Sequence, residues 1–161
     1  MNRVLEFPIT VLRFFENTAL VLSLITMLAL AIIQIVLRNF FDAGIYWAEP
    51  FLRILVLWVA LLGAMVATRE RNHINIDAAS RYLSPLARKA AASVVAGVSS
   101  VICGVVAWYS LEFVRLEFED QNIAFASVPT WLTEVIIPIA FAAMAFRFLH
   151  QMITVWIEER P

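Results

Sequence analysis

The sequence predicts an all-α membrane protein: four transmembrane helices, an N-terminal amphipathic interfacial helix, and a short amphipathic helix on one connection. Three observations predict it. Hydrophobic residues make up 62% of the 161-residue chain and charged residues only 16%, against about 45–50% and about 25% in ordinary soluble domains. Four apolar runs are long enough to cross a hydrocarbon core of about 30 Å. The connections between the runs differ sharply in charge. One integral membrane domain over residues 1–161 is expected, with spans at roughly 17–41, 47–69, 86–112 and 130–157.

Residues 2–16 alternate Arg3, Glu6, Arg13 and Glu16 with Leu5, Phe7, Ile9, Leu12 and Phe15. That pattern fits a helix lying in the membrane interface, with Pro8 near its start. A signal peptide is the competing reading. The uncharged run from Asn17 to Leu37 exceeds a typical signal core, and Arg38-Asn39-Phe40-Phe41 offers no small-residue cleavage site, so this helix is expected to stay in the mature chain.

Asp42-Ala43-Gly44 breaks the first span, and Trp47 opens the second at the interface, where indoles collect. Pro50 is tolerated in a first helical turn, which has no backbone donor to lose. Ile54–Thr68 carries no charge. At about 1.5 Å per residue, Arg53 and Arg69 lie roughly 24 Å apart along the helix axis, which places Glu49 and Arg53 at the edge opposite Arg69. Asp77 is a candidate cap for the short amphipathic helix through Tyr82, and Ser84-Pro85 reads as a cap and first position of the third span. That span takes Ala90–Leu111 and is expected to continue as a helix toward Phe118. Ala92, Ala96, Ser100 and Gly104 recur every four residues on it, a ridge that lets another helix approach closely. Gly63 and Ala67 form a similar pair on the second span. The fourth span starts near Thr130 and is expected to kink at Pro138.

Arg69, Arg71, Arg81, Arg88 and Lys89 fall on the connection between spans two and three, whereas Arg115 is the one basic residue on the acidic connection that follows. Basic loops stay cytoplasmic, so both termini are expected inside. A net charge of −1 argues against a nucleic-acid partner, which needs a clustered basic excess. The lone Cys103 gives neither a disulfide nor a cysteine metal site and reads as a small buried hydrophobe.

Ionisable groups inside spans are costly and are the first place to look for function. Glu49 and Arg53 stand one turn apart near the outer edge, where they can pair and snorkel. They read as an ion pair that anchors the helix or docks a partner helix, ahead of a role in moving substrate. Glu134, Arg147 and His150 read as surface anchors. His73 and His150 are the only histidines, and a haem between two imidazoles is the alternative they leave open. There is no nucleophile elbow, His-Glu-x-x-His run or glycine-rich phosphate loop. Neither an enzyme nor a bound cofactor or metal is expected. What remains is a hydrophobic unit with small-residue ridges and edge charges, suited to packing against something else.

Trp47, Glu49, Arg53, Trp58, Leu62-Gly63-Ala64, Arg69 and His73-Ile74-Asn75-Ile76-Asp77 together resemble the signature of the small DctQ-type membrane subunit of tripartite ATP-independent periplasmic (TRAP) transporters. Val128-Pro129-Thr130-Trp131 with Pro138, Met144 and Arg147 is similar to that family's last span, and Leu37-Arg38-Asn39-Phe40-Phe41 to the end of its first. Pro50 and Glu134 depart from the pattern. The resemblance implies a multi-pass protein of the bacterial inner membrane with two protein partners, a large TRAP membrane subunit and a periplasmic substrate-binding protein, and with membrane lipids around it. In such systems the binding protein captures an organic acid, typically a carboxylate. The large subunit then carries it inward by an elevator motion, driven by an ion gradient that is usually sodium. The small subunit is implied to brace the large one, with a share in docking the binding protein as a further implied role. The competing readings are an independent small transporter, a haem-binding electron-transfer subunit, and an assembly factor for another complex.

Overall fold

The computed structural model of the chain describes residues 3–70 and 84–157. Its elements are α1 (Arg3–Phe41), α2 (Ala48–Glu70), α3 (Pro85–Asp120), β1 (Ile123–Phe125), β2 (Val128–Pro129), α4 (Thr130–Glu134) and α5 (Ile136–Ile157). Four stretches are long and apolar enough to span a membrane: Leu12–Phe41, Ala48–Arg69, Leu86–Asp120 and Thr130–Ile157. The protein is a multi-pass, all-helical membrane protein.

The N-terminal amphipathic stretch and the first span form one uninterrupted helix of 39 residues, rather than two helices set apart. Between Pro8 and Phe41 the sequence has no glycine or proline to break the ladder. The short amphipathic helix expected over Asp77–Tyr82 lies outside the described residues. Ser84 caps α3 as expected, its hydroxyl accepting from the Ala87 N–H at 3.3 Å. With 36 residues, α3 is roughly 54 Å long at about 1.5 Å per residue. It therefore outreaches a core of about 30 Å and carries Glu117, Glu119 and Asp120 beyond it.

The helices pack as an open row, α1 against α2, α2 against α5 and α5 against α3. On α1 a single stripe is covered: Glu16, Leu20, Ser23, Met27, Leu30, Gln34 and Leu37. Their alternating spacing of four and three is that of a coiled-coil seam, and the remaining circumference is largely exposed. The core lies between α2 and α5, where Leu61, Leu62 and Met65 meet Ile136, Ala140, Met144 and Phe148. The four α5 residues recur every four positions, a ridge set into the α2 surface. Among the described residues no large side chain is fully buried, as follows from a layer one helix thick.

Near the C-terminal end of α1, the Gln34 side chain holds the loop that follows. Its Oε1 accepts from the Ile45 N–H at 3.2 Å, and its Nε2 donates to the Ile45 carbonyl at 3.4 Å. The β1–β2 hairpin turns through Ala126 and Ser127, both with positive φ (40° and 77°), as a two-residue hairpin loop of the I′ type requires. Phe125 on the hairpin packs on Phe51 of α2, ring centroids 5.1 Å apart. The expected kink at Pro138 appears as the interruption at Val135 between α4 and α5. Pro138 has no N–H for the Glu134 carbonyl, and its ring crowds that carbonyl.

Candidate functional site

Four of the sequence-selected residues, Glu49, Arg53, Gly63 and Ala67, lie on one face of α2, and several others are tied into the packing. Glu49, Arg53, Val56, Ala60 and Ala67 are exposed and Gly63 is half-buried. Their spacing of four, three, four, three, four is again a coiled-coil seam, but among the described residues no other helix covers it. A β-carbon built on Gly63 meets nothing within 4 Å. At the N-terminal end of the seam, Arg53 Nη2 donates to Glu49 Oε1 at 2.8 Å, with both side chains more than 70% exposed. An exposed pair of this kind contributes only about 0.3–0.5 kcal/mol.

The seam differs from the outward stripe of α5. There the corresponding positions are Ile139, Ala142, Phe146, Leu149, Ile153 and Trp156, bulky apolar side chains suited to lipid tails apart from Ala142. On α2 an ion pair is followed by Val, Ala, Gly and Ala. Small side chains let two backbones come close, and a charged pair set into a span gains from polar company.

The opposite side of α2 faces the protein. Trp58 Nε1 donates to the Thr133 carbonyl of α4 at 2.9 Å, beside the interruption that Pro138 causes. Trp47 meets Phe51 edge-on at 6.2 Å, which continues the aromatic contact to the hairpin. Ala48, fully buried, lets the start of α2 seat tightly.

At the Arg69 end of α2 stands a cluster that sequence reasoning missed. Glu16, 5% exposed, accepts from two arginines: Arg69 Nη1 on α2 donates to its Oε2 at 3.1 Å, and Arg147 Nη2 on α5 donates to its Oε1. Arg69 Nη2 also donates to Asn17 Oδ1 at 2.8 Å. The Met65 carbonyl accepts from Arg147 Nη1 and from the Thr68 hydroxyl. One carboxylate thus joins α1, α2 and α5. Arg147 is not the surface anchor expected of it, and Glu16 is not a surface residue of an interfacial helix. Its position at the head of the α1 seam was the available signal. A buried ion pair fixes register more reliably than it adds stability, and removing one partner strands the other charge.

The small-residue ridge of α3 is divided. Ala96 is 3% exposed, and the Ser100 hydroxyl donates to the Ala145 carbonyl of α5 at 2.9 Å, so these two serve the chain's own α3–α5 joint. Ala92 is exposed, and a β-carbon at Gly104 meets nothing within 4 Å. Glu134, expected near water, has its Oε2 buried without a hydrogen-bond partner. Pro138 is buried, Cys103 is half-buried beside the core, and His150 is exposed. His73 and Asp77 lie outside the described residues. Among the described residues no group of His, Cys, Asp and Glu could hold a metal ion.

Comparison with known proteins bears on all of this. The chain is 27% identical over 108 residues to the C4-dicarboxylate TRAP transporter small permease protein DctQ of Rhodobacter capsulatus, covering 66% of this chain and 48% of that protein. It is 22% identical over 111 residues to the isethionate TRAP transporter permease protein DctMQ of Oleidesulfovibrio alaskensis, covering 68% of this chain and 18% of that one. With the sialic acid TRAP transporter permease protein SiaT of Haemophilus influenzae it shares 24% over 130 residues, 78% of this chain and 20% of the relative. The chain thus spans about half the length of the first relative and about a fifth of the other two. Residues 27–158, which hold α2, the hairpin and the Arg147 end of the cluster, match the model of the DctQ component of tripartite ATP-independent periplasmic transporters; the chain belongs to that family.

Proposed function

We propose that this chain braces a larger membrane subunit that carries an organic acid, a carboxylate, across the bacterial inner membrane by an elevator motion driven by an ion gradient, usually sodium. The observation that carries the reading is the uncovered α2 seam, which combines an ion pair with Val56, Ala60, Gly63 and Ala67, whereas the outward stripe of α5 is mostly bulky. A transmembrane helix of the large subunit is its proposed occupant. The two relatives in which the matched stretch is about a fifth of a longer permease support such a companion. The three relatives are named for three different substrates, in keeping with selection by other components.

Both termini and the basic connection lie in the cytoplasm in this reading. The acidic end of α3 and the β1–β2 hairpin then face the periplasm, where they help dock the substrate-binding protein. The Trp58, Arg69 and Arg147 contacts hold the row in shape, while Gly63 and Ala67 meet the partner.

Reconstitution tests the whole. Vesicles with this chain, its large subunit and the binding protein are expected to accumulate the acid when an ion gradient is imposed. Uptake by this chain alone would establish an independent transporter instead, and an absorption band near 400 nm from the purified protein would point to the haem reading. Cysteines at Asn122 and Ser80 report topology: the first is expected to label from the periplasm and the second from the cytoplasm.

A further inference from the structure

A crevice of roughly 470 Å³ runs along α3 against Met152 of α5. Its floor exists because Gly97 has no side chain; a β-carbon there would stand 3.2 Å from Met152 Sδ. Val98 and Val101 wall it, and Ser93 is the polar residue at one end. Ser93 to Ile102 covers about 13.5 Å at about 1.5 Å per residue, close to half of a core of about 30 Å. The crevice is therefore about one leaflet deep. At the Ser93 end, Trp156 Nε1 donates to Ser93 Oγ at 3.1 Å, and an indole so placed marks the headgroup boundary. Lys89 stands one turn before Ser93 on the row Lys89, Ser93, Gly97, Val101, and Arg88 is beside it. Neither α3 before Glu112 nor any part of α5 contains a carboxylate.

We propose that this crevice seats one anionic phospholipid, an acyl chain lying over Gly97 between Val98, Val101 and Met152, and the phosphate held by Lys89, Arg88 and the Ser93 hydroxyl. The Ser93 oxygen accepts from Trp156, and its own proton is left to donate to a phosphate or ester oxygen. Two basic side chains near the bilayer surface correspond to about thirtyfold preference for an anionic over a zwitterionic headgroup. This assignment depends on the membrane placement of α3 and α5 and not on the bracing role, so either can fail without the other.

The test is native mass spectrometry of the purified chain in a non-ionic detergent, titrated with phosphatidylglycerol or phosphatidylcholine of identical chains. Wild type is expected to retain one phosphatidylglycerol at least tenfold more tightly than phosphatidylcholine. R88Q/K89Q, both on the open side of the helix start, is expected to bring the two within about threefold. Val101→Trp, which fills the crevice, is expected to weaken both lipids about tenfold. Equal retention of the two lipids by wild type overturns the proposal, as does a preference that survives R88Q/K89Q or a Val101→Trp variant that binds like wild type.

Discussion

Arg147 on the last helix donates to Glu16 on the first, a contact across 131 positions of sequence. Together with Arg69 it closes one end of a row that is otherwise held by one narrow seam on α1. The first helix has little else to fix its height and rotation against its neighbours, so the charged cluster decides its register.

Glu16→Ala is expected to destabilise the isolated chain by about 3–5 kcal/mol, because it leaves two largely buried guanidinium groups facing each other. Thermal unfolding in a mild detergent measures this. The exchange E16R/R147E is expected to recover less than half of the loss, since it sets a second guanidinium on α1 beside that of Arg69. A loss below about 1 kcal/mol for Glu16→Ala would remove the cluster as the determinant of α1 placement.

The α2 seam separates assembly from stability. A β-carbon at Gly63 meets nothing within 4 Å among the described residues, so Gly63→Leu can extend away from this chain's own packing, and Glu49→Ala breaks a pair worth only about 0.5 kcal/mol. Both variants are expected to unfold within about 0.5 kcal/mol of wild type, yet to recover several-fold less of the large subunit on co-purification. Ala142→Leu on the lipid-suited stripe of α5 should leave recovery unchanged. Equal recovery for all three would place the partner elsewhere.

Trp58→Phe keeps most of the buried ring and deletes the N–H that reaches the Thr133 carbonyl. A loss of about 0.5–1.5 kcal/mol is expected, read from the unfolding midpoint. Trp58→Ala should cost more than Trp58→Phe, about 2–3 kcal/mol, because its half-buried ring packs against the core between α2 and α5.

The hairpin tip offers a gain. Ala126 and Ser127 hold positive φ, where asparagine and glycine sit with less strain. The double variant A126N/S127G is expected to stabilise the chain by up to about 1 kcal/mol. An unchanged or lower midpoint would mean that the left-handed pair carries no strain.

The sequence by itself determined four spans, the break near Pro138 and the cap at Ser84, because each depends on local chemistry: hydropathy over a bilayer's width, a missing N–H, a hydroxyl beside free donors. It also marked Trp58, Arg69 and Arg147 through their resemblance to a known family. Only the tertiary structure decided who neighbours whom. Ala96 and Ser100 turned toward the chain's own α5, while the equally small Ala60, Gly63 and Ala67 were left uncovered. Glu16, one more charge in an amphipathic stretch, became the acceptor for two arginines. The physical reason is that lipid tails are as apolar as leucine. Hydropathy therefore tells how deep a residue lies in the bilayer but not which neighbour it faces, and packing and buried polar pairs settle that.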